Sequence, residues 1–221
     1  MRHVLVAASL AFLAPSAPRA EGSFASRFTV SLRAGYALPA GSSHADPSSG
    51  EDEALSDAFG SQIPLQIEVA YRLTERFAAG AYASYGFDQV GRAVRAACSG
   101  VPATCSAATA RVGVQAFYLP GEVLPRLSPW FALGAGWEWS EYSRPGALVV
   151  TFGGPEIASV QAGADWRAAR WLSLGPYLQG AVGRFLSVEQ SAPPPYGSQA
   201  VDVAHRLHGW LGLGLRGTIH F

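Results

Sequence analysis

The chain has 221 residues, enough for one domain or two small ones, and 49% of them are apolar. Its 16 basic and 16 acidic side chains balance, which argues against a nucleic-acid surface or a funnel for acidic substrates. Beyond the N-terminus no apolar run approaches the roughly 18 residues of a membrane-spanning helix, so insertion by helices is excluded as well.

The first element is a targeting segment. Arg2 and His3 precede an uncharged apolar run from Val4 to Ala14, and Pro15 to Ala20 supply a breaker and small residues. That is the layout of a secretory signal peptide, residues 1–20, with cleavage after Ala20 or alternatively after Ala25. Export makes the two cysteines, Cys98 and Cys105 in CSGVPATC, a disulfide in the default reading, since no His stands near them to complete a metal site.

From Arg27 onward a period of two recurs eight times. Arg27–Leu38 sets Phe28, Val30, Leu32, Ala34, Tyr36 and Leu38 against Thr29, Ser31, Arg33 and Gly35. Gln62–Leu73 alternates Ile63, Leu65, Ile67, Val69 and Tyr71 with Gln66, Glu68 and Arg72. Phe77–Asp88 is weaker, with Phe77, Tyr85 and Phe87 on one parity. Thr109–Leu119 opposes Val112, Val114 and Tyr118 to Arg111, Gly113 and Gln115. Trp130–Tyr142 places Phe131, Leu133, Trp137 and Trp139 opposite Gly134, Gly136 and Glu138. Glu156–Arg167 sets Val160, Ala162 and Trp166 against Gln161, Asp165 and Arg167. Trp171–Phe185 groups Leu172, Leu174, Leu178 and Val182. Arg206–Phe221 sets Leu211, Leu213, Leu215, Ile219 and Phe221 against His208, Trp210 and Arg216.

The connections alternate in length. Pro39–Ser61, Gln89–Ala108, Ser143–Pro155 and Leu186–His205 are long, whereas Thr74–Arg76, Pro120–Ser128 and Ala168–Arg170 are shorter. Long loops on one side and tight turns on the other are the layout of a bacterial transmembrane barrel. A soluble lipocalin-like barrel would share the period, with its apolar face inward. Here the apolar parity lacks charge in mid-strand, and its aromatics gather near strand ends, as interfacial girdles do. The other parity is rich in glycine and short side chains, as a crowded interior requires. The fold class expected is all-β: an eight-stranded antiparallel up-and-down transmembrane β-barrel over residues 27–221.

These features resemble the small outer-membrane barrel families typified by OmpX, OmpW and the transmembrane part of OmpA. The resemblance spans about Arg27 to Phe221 and includes the ending GLRGTIHF. It implies the outer membrane of a Gram-negative bacterium, with Phe221 as the C-terminal signal read by the barrel assembly machinery. Ile219 stands where an aromatic is commoner, and no peptidoglycan-binding domain follows, so a tethering role is not implied. The partners expected are outer-membrane lipid and lipopolysaccharide, and an extracellular ligand met through the long loops. The reading includes no nucleic acid and no cofactor, and takes the chain as a monomer.

Interior charges carry the functional reading. Arg33, Glu68 and Arg216 fall at similar depth on strands that become neighbours on closure. Arg111 and Glu138 pair a little higher, and Arg72, Asp165 and Arg167 lie near the periplasmic mouth. A barrel of eight strands has room only for side chains, so this charge network is expected to lock the interior rather than to form a pore constriction. Passage of small solutes is the alternative. A lipid A-modifying or proteolytic activity is a weaker one, with His44, Asp46, His205 and His208 as its candidate residues; no enzymatic role is expected.

Overall fold

A computed structural model describes residues 27–45, 52–98, 105–144, 148–192, 197–201 and 204–221. The expected signal segment and both candidate cleavage points lie outside them. In chain order the elements are β1 (Phe28–Ala45), β2 (Asp52–Ala54), α1 (Leu55–Ala58), β3 (Phe59–Arg72), β4 (Phe77–Val90), α2 (Arg92–Cys98) and β5 (Ser106–Tyr118). They continue with β6 (Leu127–Arg144), β7 (Leu148–Arg167), β8 (Leu172–Arg184), β9 (Ser187–Ala192), β10 (Gly197–Val201), β11 (Ala204–His205) and β12 (Leu207–His220).

Eight of these strands close a barrel in the order β1-β3-β4-β5-β6-β7-β8-β12, each antiparallel to its neighbours. Closure runs through β12, which pairs with β8 from Leu207↔Arg184 to Ile219↔Leu172 and with β1 from Thr29↔His220 to Gly41↔His208. No barrel strand keeps a free edge along its membrane segment, which is what a sheet in hydrocarbon requires. The turns at one end are tight. Thr74 Oγ1 accepts from the Phe77 amide at 3.0 Å, and the β5–β6 turn reverses through Gly121 and Arg126, both at positive φ.

Burial settles the direction of the alternation. Leu211, Leu213 and Leu215 are 60–69% exposed, whereas Arg33 is wholly buried. An apolar exterior around a polar interior is the inverse of a soluble barrel and suits a hydrocarbon solvent. Aromatics on the outward parity mark both ends. Phe28 meets Tyr71 at 5.0 Å and Phe77 meets Tyr118 at 5.4 Å near the tight turns, while Tyr85–Phe87 and Trp137–Trp139 mark the long-loop end. The inward glycines make room for rings. Tyr82 lies over Gly113 and Gly136, Tyr177 over Gly35 and Gly214, and Trp130 over Gly163, each within 3 Å of where a Cβ would stand.

The long-loop end differs from the sequence expectation. The segment 143–155, read as a loop, is mostly strand: β6 runs to Arg144 and β7 starts at Leu148. Leu186–His205 likewise contains the β9–β10 hairpin, which extends the sheet through β7–β9 pairing. The cause is a change of solvent along the strand. Above the membrane belt Tyr142, Val150, Phe152 and Val188 turn inward, so the apolar parity inverts and the lipid-facing rhythm ends. These side chains join Leu55 and Ala58 of α1, Phe59 and Val94 of α2 in one apolar cluster over the mouth. The Cys98–Cys105 disulfide closes the end of α2.

Candidate functional site

The lumen contains two ionic layers, one above the other, beneath that apolar cap. In the lower layer Arg33 and Arg216 stand directly opposite in the β1–β12 register, an arrangement that repels unless a carboxylate intervenes. Glu68 intervenes. It accepts from Arg33 Nη2 at 2.5 Å and from Arg216 Nη2 at 2.8 Å, and Gln115 Nε2 donates to it as well. Arg216 Nη1 reaches Asp165 at 2.9 Å, and Arg33 Nη1 donates to Gln161 Oε1. The Trp130 ring lies beneath both guanidiniums, 4.5 Å from Arg216 and 4.9 Å from Arg33, and its Nε1 donates to Asp165 at 3.0 Å. Two cations, two anions and an aromatic face thus neutralise one another in a site with almost no solvent contact.

The upper layer is organised by Arg111. Its Nε donates to Glu138 at 2.8 Å and lies 3.7 Å from Glu156, while its guanidinium sits 5.1 Å from the Trp210 ring. Glu138 also accepts from Ser140 at 3.0 Å and Trp210 Nε1 at 3.2 Å. Tyr82 donates to Glu156 at 2.7 Å. Asp88 accepts from Gln62 at 2.7 Å and Thr109 at 2.6 Å. His208 Nε2 approaches Glu138 Oε1 at 3.5 Å, and its ring stacks on Phe185 with centroids 3.8 Å apart.

The structure thus brings together Arg33, Glu68, Arg216 and Asp165 in one layer and Arg111 and Glu138 in the other. Arg72 and Arg167 do not join the buried network, contrary to the sequence expectation. Both lie at the strand ends, where solvent reaches them: Arg72 is exposed, and Arg167 pairs with Glu122 of the β5–β6 turn at 3.1 Å. With His220, Ser173, Glu75 and Trp130 they border an open cavity of about 180 Å³ at the tight-turn end. Asp165 borders the same cavity, as expected of a residue near the mouth, and also joins the lower layer through Arg216 and Trp130. Of the candidate catalytic residues, His44 and His205 are opposed in the β1–β11 register, and Asp46 lies outside the described residues.

Glu156 was hidden from the sequence pattern. The β6–β7 register shifts between Gly134↔Ser159 and Gly136↔Glu156, so Ile157 and Ala158 fill one step together. This bulge turns Glu156 into the lumen from a position whose parity reads as outward. Gln115 and Gln161 already carried the interior parity, and their position beside buried ions identifies them as the neutral partners of the layer. Among the described residues, no group of His, Cys, Asp and Glu is arranged to hold a metal ion.

No protein-family model matches the sequence, and no curated protein matches it. Solved structures do. The fold is similar to that of Neisserial surface protein A, NspA, with a TM-score of 0.50 and 13% identity over 88% of this chain and 97% of that one. It is similar to the outer membrane protein OprG from Pseudomonas aeruginosa, with a TM-score of 0.50 and 12% identity over 89% and 98% of the two chains. It is also similar to the outer membrane protein AlkL in lipid bilayers, with a TM-score of 0.53 and 10% identity over 95% and 98%. At such identities the likeness is one of fold, and it agrees with the closed strand order and the inverted polarity. The chain is an eight-stranded antiparallel transmembrane β-barrel of the outer-membrane type.

Proposed function

We propose that this chain is a closed outer-membrane barrel that acts as a scaffold and presents its long-loop end as an extracellular interaction surface. The observation that carries this reading is the double barrier across the lumen. Paired ions fill the interior in two layers, and the apolar cluster of Leu55, Phe59, Val94, Phe152 and Phe185 covers them. A hydrated ion entering such a site would have to shed water and separate charge pairs, which costs several kcal/mol per ion. The open cavity at the tight-turn end stops at the lower layer, since Arg216 and Trp130 form its inner wall.

The tight turns then face the periplasm and α1, α2 and the β9–β10 hairpin face outward. In this orientation Phe221, 54% exposed beside the periplasmic ends of the strands, is available to the barrel assembly machinery. The reading includes no catalytic role: His208 is buried beneath the cap, stacked on Phe185. Liposome swelling with small sugars and amino acids tests the closed lumen, and should match protein-free vesicles. Swelling that depends on solute size would support a pore. Lipid A mass spectra from cells with and without the protein should coincide; a new lipid A species would support an enzyme.

A further inference from the structure

The lipid-facing surface is not uniform around the barrel. At the long-loop end, Tyr85, Phe87, Trp137 and Trp139 provide the aromatic girdle on β4 and β6. The sector of β8 and β12 has no aromatic at that level. Instead Arg184 projects from the outward parity of β8, between the exposed Val182 and Leu186, and stands opposite Leu207 on β12. Arg184 lies 12 residues above the start of β8, about 30 Å along the axis at ~2.5 Å per tilted residue. That is about 5 Å beyond a hydrocarbon belt ~25 Å tall, the level of lipid headgroups. Arg184 has no ion-pair partner among the described residues. Beside it Arg206, Asp52, Ser42 and Leu207 complete an open notch, where Arg206 Nε donates to Asp52 at 2.6 Å.

Directly below runs an apolar furrow. Gly180 sits on the same outward parity of β8, four residues nearer the membrane centre than Arg184, and lies in a groove bordered by Leu38, Val160, Leu178, Leu211 and Leu213. Val182, exposed on the same parity and opposite Gly209, stands between Gly180 and Arg184. The furrow and the notch are therefore ~10 Å apart on one line parallel to the strands. A guanidinium on a lipid-facing parity is tolerated where it meets water or an anion, and two arginines beside one another recognise phosphate oxygens well.

We infer that β8 and β12 form a binding site for a phosphorylated, acylated glycolipid of the outer leaflet, with its phosphate on Arg184 and Arg206 and one acyl chain in the Gly180 furrow. The inference rests on the outer-membrane placement proposed above. Charge complementarity and the alignment of the two parts choose an amphiphile over a free anion, which would leave the furrow unused. Arg206 is oriented by Asp52, so the notch keeps a net positive charge of one with both arginines present.

The test uses purified full-length protein in zwitterionic micelles, titrated with bisphosphorylated lipid A and read by native mass spectrometry. One tightly held lipid A is expected on the unaltered chain. Arg184→Gln and Gly180→Leu should each weaken it at least tenfold, and Arg92→Gln on the exposed α2 should not. A Cβ at Gly180 meets only Leu211, at 3.6 Å, so the furrow can be filled without a backbone clash; heat-modifiable gel mobility verifies folding of each variant. Dephosphorylated lipid A should bind no better than the Arg184→Gln complex. Unaltered binding in Arg184→Gln or in Gly180→Leu overturns the proposal, as does competition by inorganic phosphate at equal concentration. Cell fractionation tests the membrane placement separately, so failure of the lipid site and failure of the placement are distinguishable.

Discussion

Removing the Glu68 carboxylate is the sharpest perturbation of the lumen. Arg33 and Arg216 face one another across β1–β12 and share this single residue, which accepts from both at 2.5 and 2.8 Å. Glu68→Ala leaves two buried guanidiniums with Asp165 as the one remaining carboxylate of the layer. Their mutual repulsion at ~5 Å amounts to about 3 kcal/mol with an effective dielectric of about 20. Breaking a buried ion pair by removing one partner costs about 3–5 kcal/mol, and since these terms overlap we expect a loss of about 4 kcal/mol. Glu68→Gln keeps the volume and one acceptor, and should lose roughly half as much. The assay is equilibrium urea unfolding of the barrel in lipid vesicles, followed by tryptophan fluorescence. Adding Arg33→Met to Glu68→Ala should restore stability, because it removes the repulsion. A Glu68→Ala loss below about 1 kcal/mol, or a double variant less stable than the single one, would refute the bridging role.

The remaining predictions concern the cap and the interior packing. Leu55→Ala should cost about 2–5 kcal/mol of local stability, since Leu55 is completely buried; hydrogen exchange should show α1 and α2 loosening while the barrel strands stay protected. Reducing Cys98–Cys105 releases a small loop with a sequence separation of 7, worth about 2.5 kcal/mol in chain entropy. Trypsin should then cut after Arg92 or Arg95 much faster, with the barrel's unfolding midpoint unchanged; a shifted midpoint and unchanged cleavage would contradict a local role. Gly113→Ala should cost about 1–3 kcal/mol, because its Cβ would stand 2.6 Å from the Tyr82 ring and 2.5 Å from the Ala135 carbonyl oxygen. Gly180→Ala, which meets nothing closer than 3.6 Å, should be nearly neutral in the same unfolding assay.

The barrel was legible because lipid imposes a strict rule on every second residue. Leu32, Val69, Val114 and Leu213 follow that rule, and Arg33, Glu68, Arg111 and Arg216 follow its complement. The lower ionic layer could be read as a set of residues at matching depth, since β1, β3 and β12 pair without a bulge at that level. Glu156 could not, because a bulge at Ile157–Ala158 changes its parity and nothing in the local sequence marks the bulge. Arg72 and Arg167 share the interior parity, yet they stand at the strand ends, where long side chains reach solvent rather than the layer. The cap was missed for a different reason. Once the strands leave lipid, Tyr142, Phe152 and Val188 pack as a water-soluble core does, so the apolar face changes sides and the membrane rhythm no longer applies. Short helices such as α1 depend on that packing and carry little signal of their own.

The same layering fixes what the lumen permits. The ionic layers fill the middle of the lumen, and the apolar cap covers them at the long-loop end. In the closed-lumen proposal the two together close the barrel at two depths by different chemistry, so no single substitution should open it. Single-channel recording on the refolded, unaltered protein in planar bilayers tests this most directly. The closed-lumen account requires a flat baseline with no stable conductance steps, for the unaltered chain and for Leu55→Ala alike. Long-lived, ion-selective openings of the unaltered chain would contradict it.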